Sequence, residues 1–527
     1  MFPSLIAMAD GDQITAAQVL WDAARRHPDR PCLTDLDDAV GATTSTYAQL
    51  VERVAAVAGG LLGLGLEPGD RVALLLHNSH AYVQAYLGAT AGGLVAVPLN
   101  VRLTPADYLH MLTDSGSRVL VTTSEFSDRL PDPSRLPGLT IVYADARDDA
   151  DCGLTALAAR AEPLARPVAR ADGDPASLMY TSGTTGSPKA VVLSHRSWLR
   201  IAETAVRVLG LGDDEVTLHV APLTHGAGFL LLPTLLLGGH SLLCHSYDAG
   251  RALRLLTEHG VTGMFMVPSM IRMLLDARPP DWTVPASLRR LYYAGSPIDP
   301  ETMREATEVF AGRLIQSFAQ MESPMFFTVL DQKDHLHALG NLDSPLVRSA
   351  GRVLPGVELR IVDDAGATLP DGAAGEIVAR APQTMNGYWG RPADTARTMA
   401  GGWLHTGDIG YLDGDGYLYI VDRKKDMIVT GGSNVYAREV EDVLVDLPGV
   451  KDAAVIGLPH RIWGEAVTAV LVSANDSRDS DAVLAACRTR LAGYRVPKRV
   501  VWVESLPRNA YGKVLKRQLR EQFSGSG

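Results

Sequence analysis

Three short, mostly apolar runs, 71–76 (RVALLL), 94–98 (LVAVP) and 118–122 (RVLVT), alternate with stretches of helical periodicity. No other feature narrows the possible folds as much. Leu50, Val54, Val57 and Leu61 recur at helical spacing over 47–62, and a second helix-compatible stretch covers 81–89. Thr104-Pro105 reads as a cap with proline in the first turn of a third helix. Strands that are apolar throughout need cover on both faces, so the pattern predicts α/β architecture with parallel, doubly wound sheets. The rhythm resumes over 261–294, and the charged, proline-rich stretch 124–174 between reads as a surface connection.

From 357 to 380 the rhythm changes. VELRIV and GEIVAR are short strand signals separated by Asp/Gly turns, which predicts a small β-rich subdomain. After DRKKD at 422–426 a helix is expected near 439–447, with strands at 453–457, 467–472 and 499–504. This predicts a separate α+β unit, with domains spanning 1–422 and 423–527. The length, 527 residues, suits such a division, and 46% hydrophobic content excludes a disordered or collagenous chain.

Acidic residues outnumber basic ones, 60 to 49, for a net charge of −11 without a Lys/Arg-rich block. That excludes a nucleic-acid partner held through its phosphate backbone. The longest apolar stretch, 228–237, is broken by Pro233 and is too short for a membrane span. The opening MFPSLIAMAD lacks a basic segment before its apolar run, so no secretory signal is expected. Cys32, Cys152, Cys244 and Cys487 are scattered without a CxxC pair, as in a reducing compartment. The expected location is cytoplasmic.

Residues 180–189, YTSGTTGSPK, carry the clearest chemistry. Gly183 and Gly186 sit among hydroxyl side chains and Lys189 closes the run. Glycines let backbone N–H groups approach an anion, and hydroxyls and a lysine add donors and charge, which is what a polyphosphate cradle needs. It is not the P-loop of nucleoside triphosphatases, whose lysine directly follows a glycine.

The string resembles the phosphate loop of the adenylate-forming superfamily of acyl- and aryl-CoA ligases, adenylation domains and luciferases. The resemblance extends in order through HVAPLTHGAG (219–228), YYAGSP (292–297), WLHTGDIG (403–410), DRKKDMI (422–428), GGSNVYAREVE (431–441) and NAYGK (509–513). It implies a large N-terminal region and a small C-terminal domain that swings about a hinge near Lys425. It also implies two half-reactions: a carboxylic acid and ATP give an acyl-adenylate, and the acyl group then passes to a thiol. A carboxylate oxygen is a poor leaving group and AMP a good one, so catalysis is mostly positioning and charge neutralisation.

By the resemblance, Thr181, Ser182, Gly183, Thr184, Thr185 and Lys189 bind phosphates. Gly295, Ser296 and Pro297 edge the adenine, and Phe318, Ala319, Gln320 and Met321 follow in the nucleotide site. Asp408 takes the ribose hydroxyls and Arg423 a second ribose or phosphate contact. Lys513 bridges carboxylate and α-phosphate, Glu322 and Thr184 hold Mg²⁺, and Gly431 and Gly432 line the pantetheine path. The family pattern Tyr-Gly-x-Thr-Glu here reads Phe318 to Glu322 with Met321 at the threonine position, and methionine cannot donate to a phosphate.

His225 is either a gate beside the substrate carboxylate or a loop histidine satisfied by backbone. With Gly226, Gly228 and Phe229 it reads as an apolar pocket, to which Met321, Phe326 and Phe327 add wall. An aromatic or medium aliphatic acid is favoured over an amino acid. The expected co-substrates are ATP with Mg²⁺ and CoA. The alternatives are transfer to an acyl carrier protein, ATP-dependent nitrite activation with diazotisation of an aromatic amine, and a non-catalytic nucleotide binder. No oligomeric state follows from the sequence.

Overall fold

The structure is a computed structural model that describes residues 15–37, 41–145, 153–181, 188–341, 344–431, 433–475, 478–508 and 513–524. Its contacts divide the chain into two compact units. One comprises Met1–Glu358 with Ala379–Leu404, the other Leu359–Val378 with His405–Gly527.

The first unit holds two sheets. In one, the strands run in the order Gly387–Tyr388, Lys189–Ser194, Pro175–Thr181, Val95–Pro98, Arg71–Leu75, Val119–Thr122 and Thr140–Tyr143. From Pro175–Thr181 onward the neighbours are parallel. These strands are the apolar runs of the sequence, and Val72–Leu75 and Val119–Thr122 are buried on both faces. The helices between them, Tyr47–Gly63, His80–Ala91 and Pro105–Ser115, are the expected ones. The last opens with Pro105 behind a reciprocal Thr104/Asp107 capping box. One expectation is corrected. The stretch 124–174 is not only a connection, because Thr140–Tyr143 pairs in parallel with Val119–Thr122 as the edge strand.

The second sheet of this unit has a parallel centre: Pro31–Asp35, His240–Leu243, Val216–His219, Gly263–Met266, Arg290–Tyr293 and Leu314–Gln320. Its core includes Leu218, Leu242, Met264, Leu291, Tyr293 and Leu314. The apolar stretch 228–237 becomes a short buried turn and the helix Leu231–Leu236. No helix among the described residues is long and apolar enough to cross a membrane.

In the second unit, Glu358–Val362, Gly375–Arg380, Leu404–Leu412 and Tyr417–Arg423 lie side by side. A five-stranded sheet is built on the antiparallel pair Val450–His460 and Gly464–Ser473, with Arg499–Val503 parallel to the latter. The helix Ala437–Val445 packs Val440 and Leu444 against Val455, Val467 and Ala469.

Cys32, Cys244 and Cys487 are buried free thiols, and Cys152 lies outside the described residues. Burial also holds His195, His219 and His335 of the first unit down to about 4, against about 6.5 in an unfolded chain. Between those values the unfolded chain binds protons that the folded one refuses, so stability falls as pH drops. Each of the three is expected to cost about 2 kcal/mol at pH 5 relative to neutrality. Calorimetric melting should therefore decline steadily from pH 7 to pH 5, and a flat profile would contradict the burial.

Candidate active site

In open parallel sheets, ligands bind beyond the carboxyl ends of the strands. In the first unit, the motif residues gather there. Val216–His219 leads to the loop with His225, Arg290–Tyr293 leads to Gly295, Ser296 and Pro297, and Leu314–Gln320 itself carries Phe318, Ala319 and Gln320. Met321 and Glu322 form the turn into the antiparallel strand Ser323–Leu330.

The two ends of the phosphate-loop motif lie on an antiparallel strand pair, with Thr181 directly opposite Lys189. Ser182, Gly183, Thr184, Thr185, Gly186 and Ser187 lie outside the described residues. One helix, Pro105–Ser115, holds both stems. The Tyr180 hydroxyl donates to Asp114 Oδ2 at 2.9 Å, and His110 Nε2 donates to the Pro188 carbonyl at 3.0 Å. Asp114 is in turn paired with Arg391, at 3.0 Å.

Lys189 Nζ lies 2.9 Å from Asp394 Oδ2 and 5.3 Å from the ring centroid of Tyr388. The Tyr388 phenol donates to Glu322 Oε1 at 2.7 Å. Burial first, and the Glu322 carboxylate after it, hold that phenol well above its ordinary range, so it remains a donor at neutral pH. A cationic amine near the ring and a carboxylate at the hydroxyl thus meet on one tyrosine. Sequence reasoning missed Tyr388 and Asp394, which lie about two hundred residues from the lysine they contact, a separation that local periodicity cannot register.

The altered segment is held firmly. Ser317 Oγ donates to the Met325 carbonyl at 2.6 Å and shares a 2.6 Å hydrogen bond with the Tyr292 hydroxyl. The Glu322 carbonyl accepts from Met385 N at 2.8 Å. Phe318 is half-buried, its ring 5.9 Å from that of Phe327. Gly295 has φ +91 and, with Ser296 and Pro297, is exposed.

The glycines near His225 are closely packed. A Cβ on Gly226 would stand 2.6 Å from the Phe265 ring, and one on Gly228 would stand 2.0 Å from the Leu223 carbonyl oxygen. Phe229 is buried, its ring centroid 5.0 Å from that of Trp198. Phe265 continues into a row of rings, 5.3 Å from Tyr292, which is 5.8 Å from Phe326. Burial holds His225 down to about 4, so it is neutral at pH 7, and its Nδ1 lies 3.0 Å from Thr224 Oγ1.

Asn78 fixes the loop leading to His225. Its amide donates to the carbonyls of His219, at 3.3 Å, and Ala221, at 2.9 Å, while its oxygen accepts from Leu223 N at 2.8 Å. Asn78→Ala would strip three buried backbone groups of this partner, so a loss of about 1–3 kcal/mol is expected in denaturant unfolding. An unchanged midpoint would refute this role. A polar residue just past the apolar run 71–76 was the available signal.

In the second unit, Asp408 and Arg423 are directly opposed on paired strands, with Arg423 Nε 2.6 Å from Asp408 Oδ1. The Asp408 side chain is only 4% exposed. Thr406 Oγ1 accepts from Asp408 N and donates to the Ile377 carbonyl, which pins the HTGD stretch of the strand Leu404–Leu412 to its neighbour strand. Lys425 lies in the short turn Lys424–Asp426. Asp426 is tied to Arg520 of the helix Lys516–Phe523 at 3.0 Å. Gly431 has φ +56 and a Cβ there would lie 3.1 Å from the Trp463 indole, so a side chain would be strained by the backbone and crowded by its neighbour; Gly432 lies outside the described residues. Lys513 is exposed, directly before Val514, whose bridge to Arg508 closes the loop; 509–512 lie outside the described residues.

Comparison with known proteins follows the same landmarks. Residues 20–389 match the family described as AMP-binding enzyme, and 439–513 match the AMP-binding enzyme C-terminal domain. The chain is 39% identical over 490 residues to a feruloyl-CoA synthase of Amycolatopsis sp, covering 92% of this chain and 95% of that protein. It is 35% identical to the fatty acid–[acyl-carrier-protein] ligase ScoC of Streptomyces coeruleorubidus, covering 92% of each. Among solved structures, o-succinylbenzoate CoA synthetase of Bacillus subtilis in complex with its acyl-adenylate intermediate superposes with a TM-score of 0.85. The two chains are 29% identical, with 96% of this one and 98% of that one covered.

Proposed function

The chain belongs to the AMP-binding enzyme family, and from that premise we propose that it is an ATP-dependent, AMP-forming acid–CoA ligase. The observation that carries the reading is the convergence of Lys189 and Glu322 on Tyr388 beside the strand pair that flanks the phosphate-loop motif. In the first half-reaction, a carboxylate oxygen of the acid bonds to the α-phosphorus of ATP and the bond to pyrophosphate breaks. In the second, the CoA sulfur bonds to the acyl carbon, AMP leaves and the thiol proton is released.

The residues divide this work. Thr181, Lys189 and the loop between them take the phosphates, Gly295 to Pro297 and Phe318 to Met321 bracket the adenine, and Asp408 with Arg423 holds the ribose. Lys513 bridges carboxylate and α-phosphate, where a compact charge on a long stem reaches both. Met321 offers no hydroxyl, so the α-phosphate lacks that hydrogen-bond donor and relies more on Lys513. The proposed domains are 1–422 and 423–527, with rotation at Lys425 bringing Gly431 and Gly432 to the pantetheine. The cytoplasm is the proposed location.

Magnesium fits Glu322. Its carboxylate is a hard oxygen donor beside a neutral phenol, and one or two carboxylates plus substrate phosphates are the ligands that Mg²⁺ usually takes in such sites. No group of three or more His, Cys, Asp or Glu that could hold a metal alone occurs among the described residues. Glu322 and Thr184 would hold the ion, which would neutralise charge on the phosphates.

The ring row Phe265, Tyr292 and Phe326 and the similarity to a feruloyl-CoA synthase support an aromatic acid, with a medium aliphatic acid second. The deciding experiment is mass spectrometry of products formed from MgATP, CoA and a panel of benzoates, cinnamates and aliphatic acids. A CoA thioester from the aryl acids is expected. AMP release without thioester would direct the reading to a carrier protein, the acceptor in the name of the ScoC relative, or to nitrite activation. Absence of any nucleotide turnover with the whole panel would overturn the ligase assignment.

A further inference from the structure

The segment 387–397 contacts both charged groups at the phosphate end of the site, and its build is unusually constrained. Gly387 and Tyr388 pair with Val192 and Val191, and Trp389 N donates to the Ala190 carbonyl at 2.9 Å. The segment therefore runs alongside the strand that begins with Lys189. It folds back on itself, with Tyr388 N donating to Thr395 Oγ1 at 2.9 Å, and a Cβ on Gly387 would stand 2.6 Å from Thr395 Cγ2. This fold-back delivers Asp394 to Lys189. Both side chains are largely withdrawn from solvent, 14% exposed for the lysine and 19% for the aspartate, and Arg397 also pairs with Asp394.

A carboxylate and a phosphate are both oxyanions, and a lysine ammonium that bonds one in this geometry has less charge to offer the other. We propose that Asp394 is a resident counter-ion that competes with the triphosphate for Lys189, so that segment 387–397 sets the nucleotide affinity of the enzyme. The proposal rests on the reading of Lys189 as a phosphate ligand. Asp394 acts through Lys189 and is a positioning residue. A merely structural salt bridge would destabilise the fold on removal and would not strengthen binding.

The test is calorimetric titration of ATP with Mg²⁺ into the full-length protein without acid or CoA, so that binding is read without turnover. Asp394→Asn is expected to tighten ATP by about two- to fivefold, the size of a partly exposed ion pair. The gain should shrink as salt is raised. Asp394→Glu keeps the charge and is expected to bind ATP as the unaltered protein does. Lys189→Ala is expected to weaken ATP, and Asp394→Asn added to it should then bring no gain. Unchanged or weaker ATP binding in Asp394→Asn, with its melting temperature retained, would overturn the proposal. So would a gain that persists without Lys189. Lys189→Ala with undiminished affinity would overturn the phosphate-ligand reading and the proposal together, which separates the two failures.

Discussion

Lys513→Ala is expected to slow adenylate formation by about two to three orders of magnitude, the usual cost of removing one preorganised charge from a developing oxyanion. Met321 makes the dependence acute, since a methionine thioether offers the α-phosphate no hydrogen bond. The loss should be confined to one half-reaction. Acid-dependent pyrophosphate release in a single turnover is expected to collapse, whereas thioester formation from a supplied acyl-adenylate and CoA is expected to persist. Calorimetric ATP affinity should change little, because the lysine acts on charge that grows at the reaction centre. Undiminished pyrophosphate release would remove Lys513 from the mechanism. Equal losses in both halves would assign it to the fold or to a shared surface.

The second large effect is expected from Asp408→Asn. Asn keeps the shape and one acceptor oxygen but loses the charge that pairs with Arg423 and that the proposed binding mode gives to both ribose hydroxyls. Hydrogen bonds to charged groups are worth about 1.5–3 kcal/mol each, so AMP and ATP affinity is expected to drop by roughly a hundredfold. Asp408 is buried against Arg423 at 2.6 Å, and the substitution also leaves that guanidinium facing a neutral amide. Titration with AMP isolates the effect, because AMP carries the ribose without the polyphosphate. If AMP binds Asp408→Asn as it binds the unaltered protein, Asp408 is a structural partner of Arg423 alone.

The parts of this arrangement that sequence reasoning reached are those carried by contiguous residues. The strands 71–75, 95–98 and 119–122 announced themselves through apolar runs, and the helix from Pro105 through its cap. The edge strand Thr140–Tyr143 escaped because prolines and charges dominate the stretch around its short apolar run. Asp408 and Arg423 were each legible in their motifs, while their pairing depends on a strand register. Tyr388, Asp394, His110 and Asn78 act through contacts between distant segments. The glycines at 226 and 228 were legible as small residues, while the Phe265 ring and the Leu223 carbonyl beside them come from the fold.

The Phe265 ring standing where a side chain on Gly226 would go has a consequence for any mutational scan of this loop. The two positions share one volume, so they form a single coupled locus. A library that varies residue 226 alone would score it as intolerant, and one that shrinks Phe265 alone would open a void. Jointly varied, with bulk moved from one backbone to the other, the pair offers a repacked arrangement that neither single scan could reveal. Residue 228 offers no such trade, because its obstruction is the backbone carbonyl of Leu223 and cannot be exchanged by mutation.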